Sequence, residues 1–333
     1  MKVVDVHAHI LVPELLSEHG SEPWRPAIHP QPDGGYLVVN NQFKNGPAFK
    51  PIVEAEAITE NLKAMGVDYA MLSTPPYAFY YDLPPEEGAR ASAIQNDGLA
   101  AVVRRCPDVI GGLGTLPLQD VGLAVAELER VIGELNLSGV EIASNVNGVD
   151  LGEDQFRPFW QAVERLGAVV FVHPAYFEQV GSARMDKYYL RNFLGNPMET
   201  ALFAAHMIFS GMLEDFPNLK VVLAHAGGVI PYLRGRMEHG YFQRKEPRAR
   251  ISRPPSEYLG RLYYDTITHY APTLQYLVDV VGVEHVLLGS DYPFDMGPER
   301  PADIVHQLTR LSQAERELIL GGNALRLLQA APA

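Results

Sequence analysis

Eight short apolar runs recur along the chain with helical patterns between them, and this alternation restricts the fold more than any other feature. The runs span 3–6, 69–73, 109–116, 139–143, 169–172, 220–224, 262–264 and 286–288. Helical periodicity fills intervening segments such as 123–134, 156–165, 198–213 and 274–281. Consecutive parallel strands need a long crossover, and a helix is the usual one. Eight such units predict an α/β protein with a distorted (β/α)8 TIM barrel. Two amphipathic helices, 302–311 and 314–320, and the segment 323–328 are expected to close it.

No low-complexity tract divides the 333 residues, so a single domain over 1–333 is expected. The stretch 11–51 departs from the alternation: it is rich in Pro, Gly and Asn and carries little periodicity. Long irregular segments in compact domains are commonly functional. An insertion over 11–53 after the first strand, covering the site and holding a minor hairpin at 35–40, is therefore expected.

Several runs end on side chains able to bind a metal. In Val4-Asp5-Val6-His7-Ala8-His9 the two histidines are i and i+2, which share one face of a strand. Phe171-Val172-His173 ends the fifth run, Leu223-Ala224-His225 the sixth, and Gly289-Ser290-Asp291 the eighth. A parallel barrel brings the carboxyl ends of its strands together, so these five groups would converge. Imidazoles with one carboxylate and no thiolate suit zinc or a related divalent ion in a catalytic centre. Not all five need be ligands, because His225 or Asp291 could instead move protons.

A formal charge of -13 and a sequence pI near 5.3 argue against nucleic-acid binding. No run of about 18 apolar residues offers a membrane span. The one cysteine, Cys106, excludes an internal disulfide and is read as structural, which fits a cytoplasmic protein. His206 is read as a core residue and Glu199 as a cap or brace for the helix it begins. Gly227-Gly228 is read as a close approach of backbone to the metal pocket, and the aromatic group 77–81 as core, interface or pocket wall.

Six stretches in order carry a resemblance. They are Gly112-Leu113-Gly114-Thr115-Leu116-Pro117-Leu118-Gln119, Phe171-Val172-His173-Pro174, Asn196-Pro197-Met198-Glu199-Thr200, His225-Ala226-Gly227-Gly228, Gly235-Arg236-Met237-Glu238-His239-Gly240 and Gly289-Ser290-Asp291-Tyr292-Pro293-Phe294. With the paired histidines they resemble the amidohydrolase superfamily, and within it the aminocarboxymuconate-semialdehyde decarboxylase family, over almost the whole chain. The resemblance implies one Zn2+ per subunit held by His7, His9, His173 and Asp291. It implies His225 as acid/base beside metal-bound water. It also implies loss of carbon dioxide, without an organic cofactor, from a small unsaturated or aromatic carboxylate such as 2-amino-3-carboxymuconate semialdehyde.

A homodimer is implied as well, with Arg236 given to the neighbouring subunit's substrate. The superfamily's second metal is usually bridged by a lysine or glutamate at the end of strand 4. Here 139–145 has no lysine and Glu141 lies inside the run, which favours one metal. The family's other arginine, expected in the insertion, has no match in 34–42; Lys44 and Lys50 are the nearby cations. Asn192 stands where the family places an aromatic, and His269 is matched as a substrate or supporting group. These departures bear on the substrate and leave the metal chemistry untouched. The alternatives are a metal-dependent hydrolase of a lactone, amide or ring-cleavage product, and a non-catalytic metal-binding scaffold.

Overall fold

In the computed structural model, eight parallel strands lie side by side in chain order. The structure describes residues 2–32, 36–40, 43–48, 52–174 and 177–329, the side chains of 40, 43–48 and 329 excepted. The barrel strands are β1 (Val4–His9), β2 (Tyr69–Ser73), β3 (Ile110–Gly114), β4 (Gly139–Ala143), β5 (Val169–His173), β6 (Lys220–Leu223), β7 (Tyr263–Asp265) and β8 (Val286–Leu287). The ring closes between the last strand and the first. Val6 N donates to Leu288 O at 2.9 Å, Asp291 N to His7 O at 2.8 Å, and His9 N to Tyr292 O at 2.7 Å.

The strands are largely buried on both faces because both are covered. Met71, Leu113, Val169, Phe171, Val222 and Leu287 form one cluster with Ala324 and Leu327 of the last helix, Asn323–Gln329. The Phe171 ring lies 4.7 Å from that of His7, so this cluster supports the site from beneath. A larger cluster lies between strands and helices. The helix Arg157–Leu166, for instance, buries Phe159, Trp160 and Val163, an i, i+1, i+4 stripe. The helix Val121–Gly133 starts at Asp120, whose carboxylate accepts from Leu123 N at 2.9 Å.

Local contacts explain where the elements depart from expectation. The third strand stops at Gly114 because both backbone groups of Thr115 bond the Asn96 side chain, at 2.7 and 2.9 Å. The segment 198–213 splits at Gly211, whose φ of +82° ends one helix, Asn196–Phe209, before the next, Met212–Asp215. The helix expected over 302–311 spans only Ala302–His306.

Between β1 and β2, where one hairpin was expected, lie three antiparallel strands: Ala27–Pro30, Tyr36–Asn40 and Phe43–Ala48. Proline and asparagine within them hide the alternation by which a strand is recognised. Gly35, Lys50 and the side chain of Lys44 lie outside the described residues.

Candidate metal centre

All five strand-end groups come together at one mouth of the barrel. Ligand atoms of His7, His173, His225 and Asp291 lie within 4.8 Å of one another. His9 joins them through Asp291: Asp291 Oδ1 is 3.3 Å from His7 Nε2 and 3.3 Å from His9 Nε2. The other oxygen, Oδ2, faces His225 Nε2 at 3.6 Å. His7 and His9 are fully buried, and His173 and Asp291 nearly so.

Three of the histidines have their far nitrogen anchored. His7 Nδ1 donates to Asp265 Oδ2 at 2.8 Å, His9 Nδ1 to Thr74 O at 3.1 Å, and His173 Nδ1 to Pro174 O at 3.0 Å. Such bonds fix ring orientation and leave Nε2 free to bind, an arrangement common among metal-ligating histidines. His225 differs. Its Nδ1 has no hydrogen-bond partner among the described residues, and its side chain keeps 15% exposure.

The electrostatics call for a cation. Burial alone would lower the His7 imidazolium, but Asp291 and Asp265 outweigh it and raise it to about 10. Asp291 is held well below the usual carboxylate range despite burial, chiefly by the charge of His7 and by the imidazoles 3.3–3.6 Å away. Burial, reinforced by the neighbouring imidazoles, drives His173 far down, so it stays neutral. Among the described residues, His7 Nε2, His9 Nε2 and Asp291 Oδ1 are buried without a well-formed hydrogen bond. Buried polar groups are rarely left so, and an ion among them satisfies all three. The residues therefore fit a divalent metal by donor type and by need.

Glu141 stands on the far side of His9, with Oε2 3.7 Å from Nδ1, the nitrogen turned away from Asp291. It is fully buried, and burial raises its carboxyl. Asp5, two residues beneath His7, stitches β1 to the last strand end. It accepts from His7 N at 2.9 Å and Ser290 N at 3.1 Å, and from the Ser290 hydroxyl. Burial outweighs these bonds and lifts its carboxyl to about 6.

His225 leaves β6 through a left-handed turn. Its φ is 53°, followed by 57° at Ala226, 72° at Gly227 and 61° at Gly228. Each non-glycine residue held there costs about 1–2 kcal/mol. A Cβ at Gly227 would meet Tyr264 at 2.7 Å, and one at Gly228 would meet Pro197 O at 1.9 Å. The close approach at these glycines is thus to β7 and to the helix Asn196–Phe209, not to the metal pocket as expected, because Tyr264 and Pro197 are the groups packed against them. Gly228→Ala is expected to lower stability by roughly 2–5 kcal/mol, from strain plus overlap, read as a fall in the denaturant midpoint. A loss below about 1 kcal/mol would contradict so close an approach.

The remaining expected residues stand outside the barrel strands. Asn192 is half-buried in the turn Arg191–Gly195, and His269 is exposed beyond β7 with a φ of 56°. Arg236 is exposed on the helix Ile230–Gln243. Glu199 braces loops rather than capping its own helix: it accepts from Ser144 Oγ, Asn145 Nδ2 and Val180 N at 3.1, 2.7 and 2.8 Å. His206 is half-buried, not core, with Nε2 3.1 Å from Asp150 Oδ2. Tyr77, Phe79, Tyr80 and Tyr81 are buried. Arg25, an arginine between β1 and β2, is occupied by Glu22 and by Glu14 O.

Asp265 was not singled out by the sequence. It ends β7, is fully buried, and accepts four hydrogen bonds, one of them from His7. The available signal was its place at the end of a seventh apolar run.

Comparison with known proteins identifies the family. The amidohydrolase family profile matches residues 4–330. The chain belongs to the amidohydrolase family. This amidohydrolase is 36% identical over 332 residues to the 2-amino-3-carboxymuconate-6-semialdehyde decarboxylase of Dictyostelium discoideum, covering 98% of the chain and 91% of the relative. It is 31% identical over 249 residues to the gamma-resorcylate decarboxylase of a Polaromonas species, covering 70% and 74%. A solved dihydroxybenzoic acid decarboxylase from Polaromonas, holding manganese and 2-nitroresorcinol, shares the fold with a TM-score of 0.82. The two are 22% identical, with 100% of this chain and 98% of that one covered. No helix among the described residues is long and apolar enough to cross a membrane.

Proposed function

We propose that this amidohydrolase is a decarboxylase of a small unsaturated or aromatic carboxylic acid, working with one divalent metal ion and no organic cofactor. The observation that carries the reading is the contrast among the histidines: three are anchored through Nδ1 and aim Nε2 inward, while His225 is unanchored and partly exposed. Fixed rings suit ligands, and a free one suits a proton carrier. The names of the relatives supply the reaction class.

In this reading His7, His9, His173 and Asp291 Oδ1 hold the metal. The ion proposed is Zn2+, which the three-histidine, one-carboxylate set suits; manganese in the solved relative is the competing choice. Bound there, the ion would act as a Lewis acid on the substrate's oxygen atoms.

The chain's own groups do the rest. When the carboxylate leaves as carbon dioxide, the electron pair of the broken C–C bond stays on carbon, and that carbon takes a proton. His225 Nε2 holds the proton and delivers it, with Asp291 Oδ2 at 3.6 Å offsetting the imidazolium charge. Phe294, whose ring lies 5.3 Å from that of His9, supplies an apolar wall that keeps water from competing.

The substrate carboxylate needs a cation, and Arg236 of a second subunit fits that need in a homodimer. Tyr188 and Tyr232, 82% and 81% exposed, suit a surface that a partner covers. Lys44, Asn192 and His269 complete the proposed substrate contacts. The insertion 11–53 begins directly after His9, at the rim of the site, and is read as its cover within a single domain. A cytoplasmic location accords with the single cysteine.

A panel tests this reading: 2-amino-3-carboxymuconate semialdehyde and a series of hydroxybenzoates, against esters, lactones and amides. Release of carbon dioxide from at least one acid is expected. Turnover of esters or lactones with no acid losing carbon dioxide would place the protein among the hydrolases.

A further inference from the structure

We infer that Asp265 is a positioning residue that serves two members of the centre at once, fixing the ring of His7 and holding the turn that presents His225. Its Oδ2 accepts from His7 Nδ1 at 2.8 Å and from His225 N at 2.8 Å, and its Oδ1 accepts from Ala226 N at 2.8 Å and Ile267 N at 3.0 Å. One fully buried carboxylate thereby joins β1, the end of β6 and the end of β7.

The two tasks have separate physical grounds. A neutral imidazole bearing its proton on Nδ1 must present its lone pair at Nε2, so an acceptor behind His7 selects the tautomer able to bind an ion. The backbone N–H groups of His225 and Ala226 point the same way because both residues are left-handed, which forms a concave donor pair around an anion. The carboxylate that selects the His7 tautomer is the same one that fills this pair. A change at Asp265 therefore disturbs the ligand and the proton carrier together, although it touches neither substrate nor metal.

Gly289 offers a second way to disturb the pair without changing charge. A Cβ there would lie 2.9 Å from the Asp265 Cβ and 3.1 Å from the His7 Cβ.

The inference rests on the metal-centre reading above, and its test reads metal binding and ring state rather than turnover. Zn2+ affinity is measured by competition with a chromophoric chelator for the wild-type chain, Asp265→Asn and Gly289→Ala, with circular dichroism to confirm folding. Asparagine turns an N–H toward a donor, so Asp265→Asn is expected to weaken Zn2+ binding about 10–100-fold. Gly289→Ala shifts affinity in the same direction. On the wild-type chain alone, nitrogen-15 spectra of its histidines in the Zn2+-loaded state are expected to show one Nδ1 proton, absent in His7→Gln, that exchanges slowly with water.

Wild-type affinity in a folded Asp265→Asn would overturn the inference, as would a Zn2+-loaded His7 protonated on Nε2. If Asp265→Asn does not fold, the wild-type spectra and Gly289→Ala decide it in the same terms. A wild-type chain that takes up no Zn2+ would overturn the metal-centre reading and this inference with it, whereas normal wild-type binding with an unaffected Asp265→Asn overturns this one alone.

Discussion

Replacing His225 with asparagine is expected to lower decarboxylation by about 10²–10⁴-fold and to leave the metal in place, while His9→Asn is expected to lose the metal. The two variants separate because the rings are held differently. His9 is fully buried and anchored through Nδ1 to Thr74 O, which turns Nε2 toward Asp291 Oδ1, where the proposed ion would bind. His225 faces the other carboxylate oxygen, keeps 15% side-chain exposure and has no partner for its buried Nδ1 among the described residues. A ring of that kind can gain and lose a proton during each turnover without releasing a ligand. Metal content per chain, measured beside the rate of carbon dioxide release, checks both halves. Loss of metal from His225→Asn with retention in His9→Asn would exchange the two roles.

The second large effect is on metal affinity as a function of pH. In the metal-free protein Asp291 and Asp265 overcome the effect of burial and keep His7 protonated up to about 10. His173 is already neutral and Asp291 already ionised at neutral pH. Metal must therefore displace the His7 proton, and affinity is expected to weaken about tenfold for each unit of pH lowered across the neutral range. The sign for stability is opposite. The His7 imidazolium stabilises the metal-free fold fully below its ordinary value of 6.5, and that contribution is lost as pH rises toward about 10. Titration calorimetry in buffers of different ionisation enthalpy counts the protons released. No release from the protein at neutral pH would show that His7 is neutral before the metal arrives.

Much of this centre was legible before any coordinates, for a simple reason. In a parallel barrel a ligand at the end of each apolar run must face the same mouth, so sequence position translates into convergence. His7, His9, His173, His225 and Asp291 follow that rule. What sequence did not carry are contacts between segments far apart. Asp265 matters through bonds to His7, 258 residues away, and to His225, 40 away. Glu199 looked like a helix cap because its neighbours are helical, yet its partners come from β4's end and the loop after β5. The glycines after His225 announced a close approach, but only the coordinates show that Pro197 and Tyr264 impose it. The insertion hid three strands because proline and asparagine interrupt their alternation.

The most direct test of the account is anomalous X-ray diffraction from crystals of the metal-loaded chain, recorded at the absorption edge of the bound ion. One peak per subunit is expected, bonded to His7 Nε2, His9 Nε2, His173 and Asp291 Oδ1, with His225 close by but not ligating. A second peak beside Glu141, a peak bonded to His225 with His9 excluded, or no peak at these residues would contradict it.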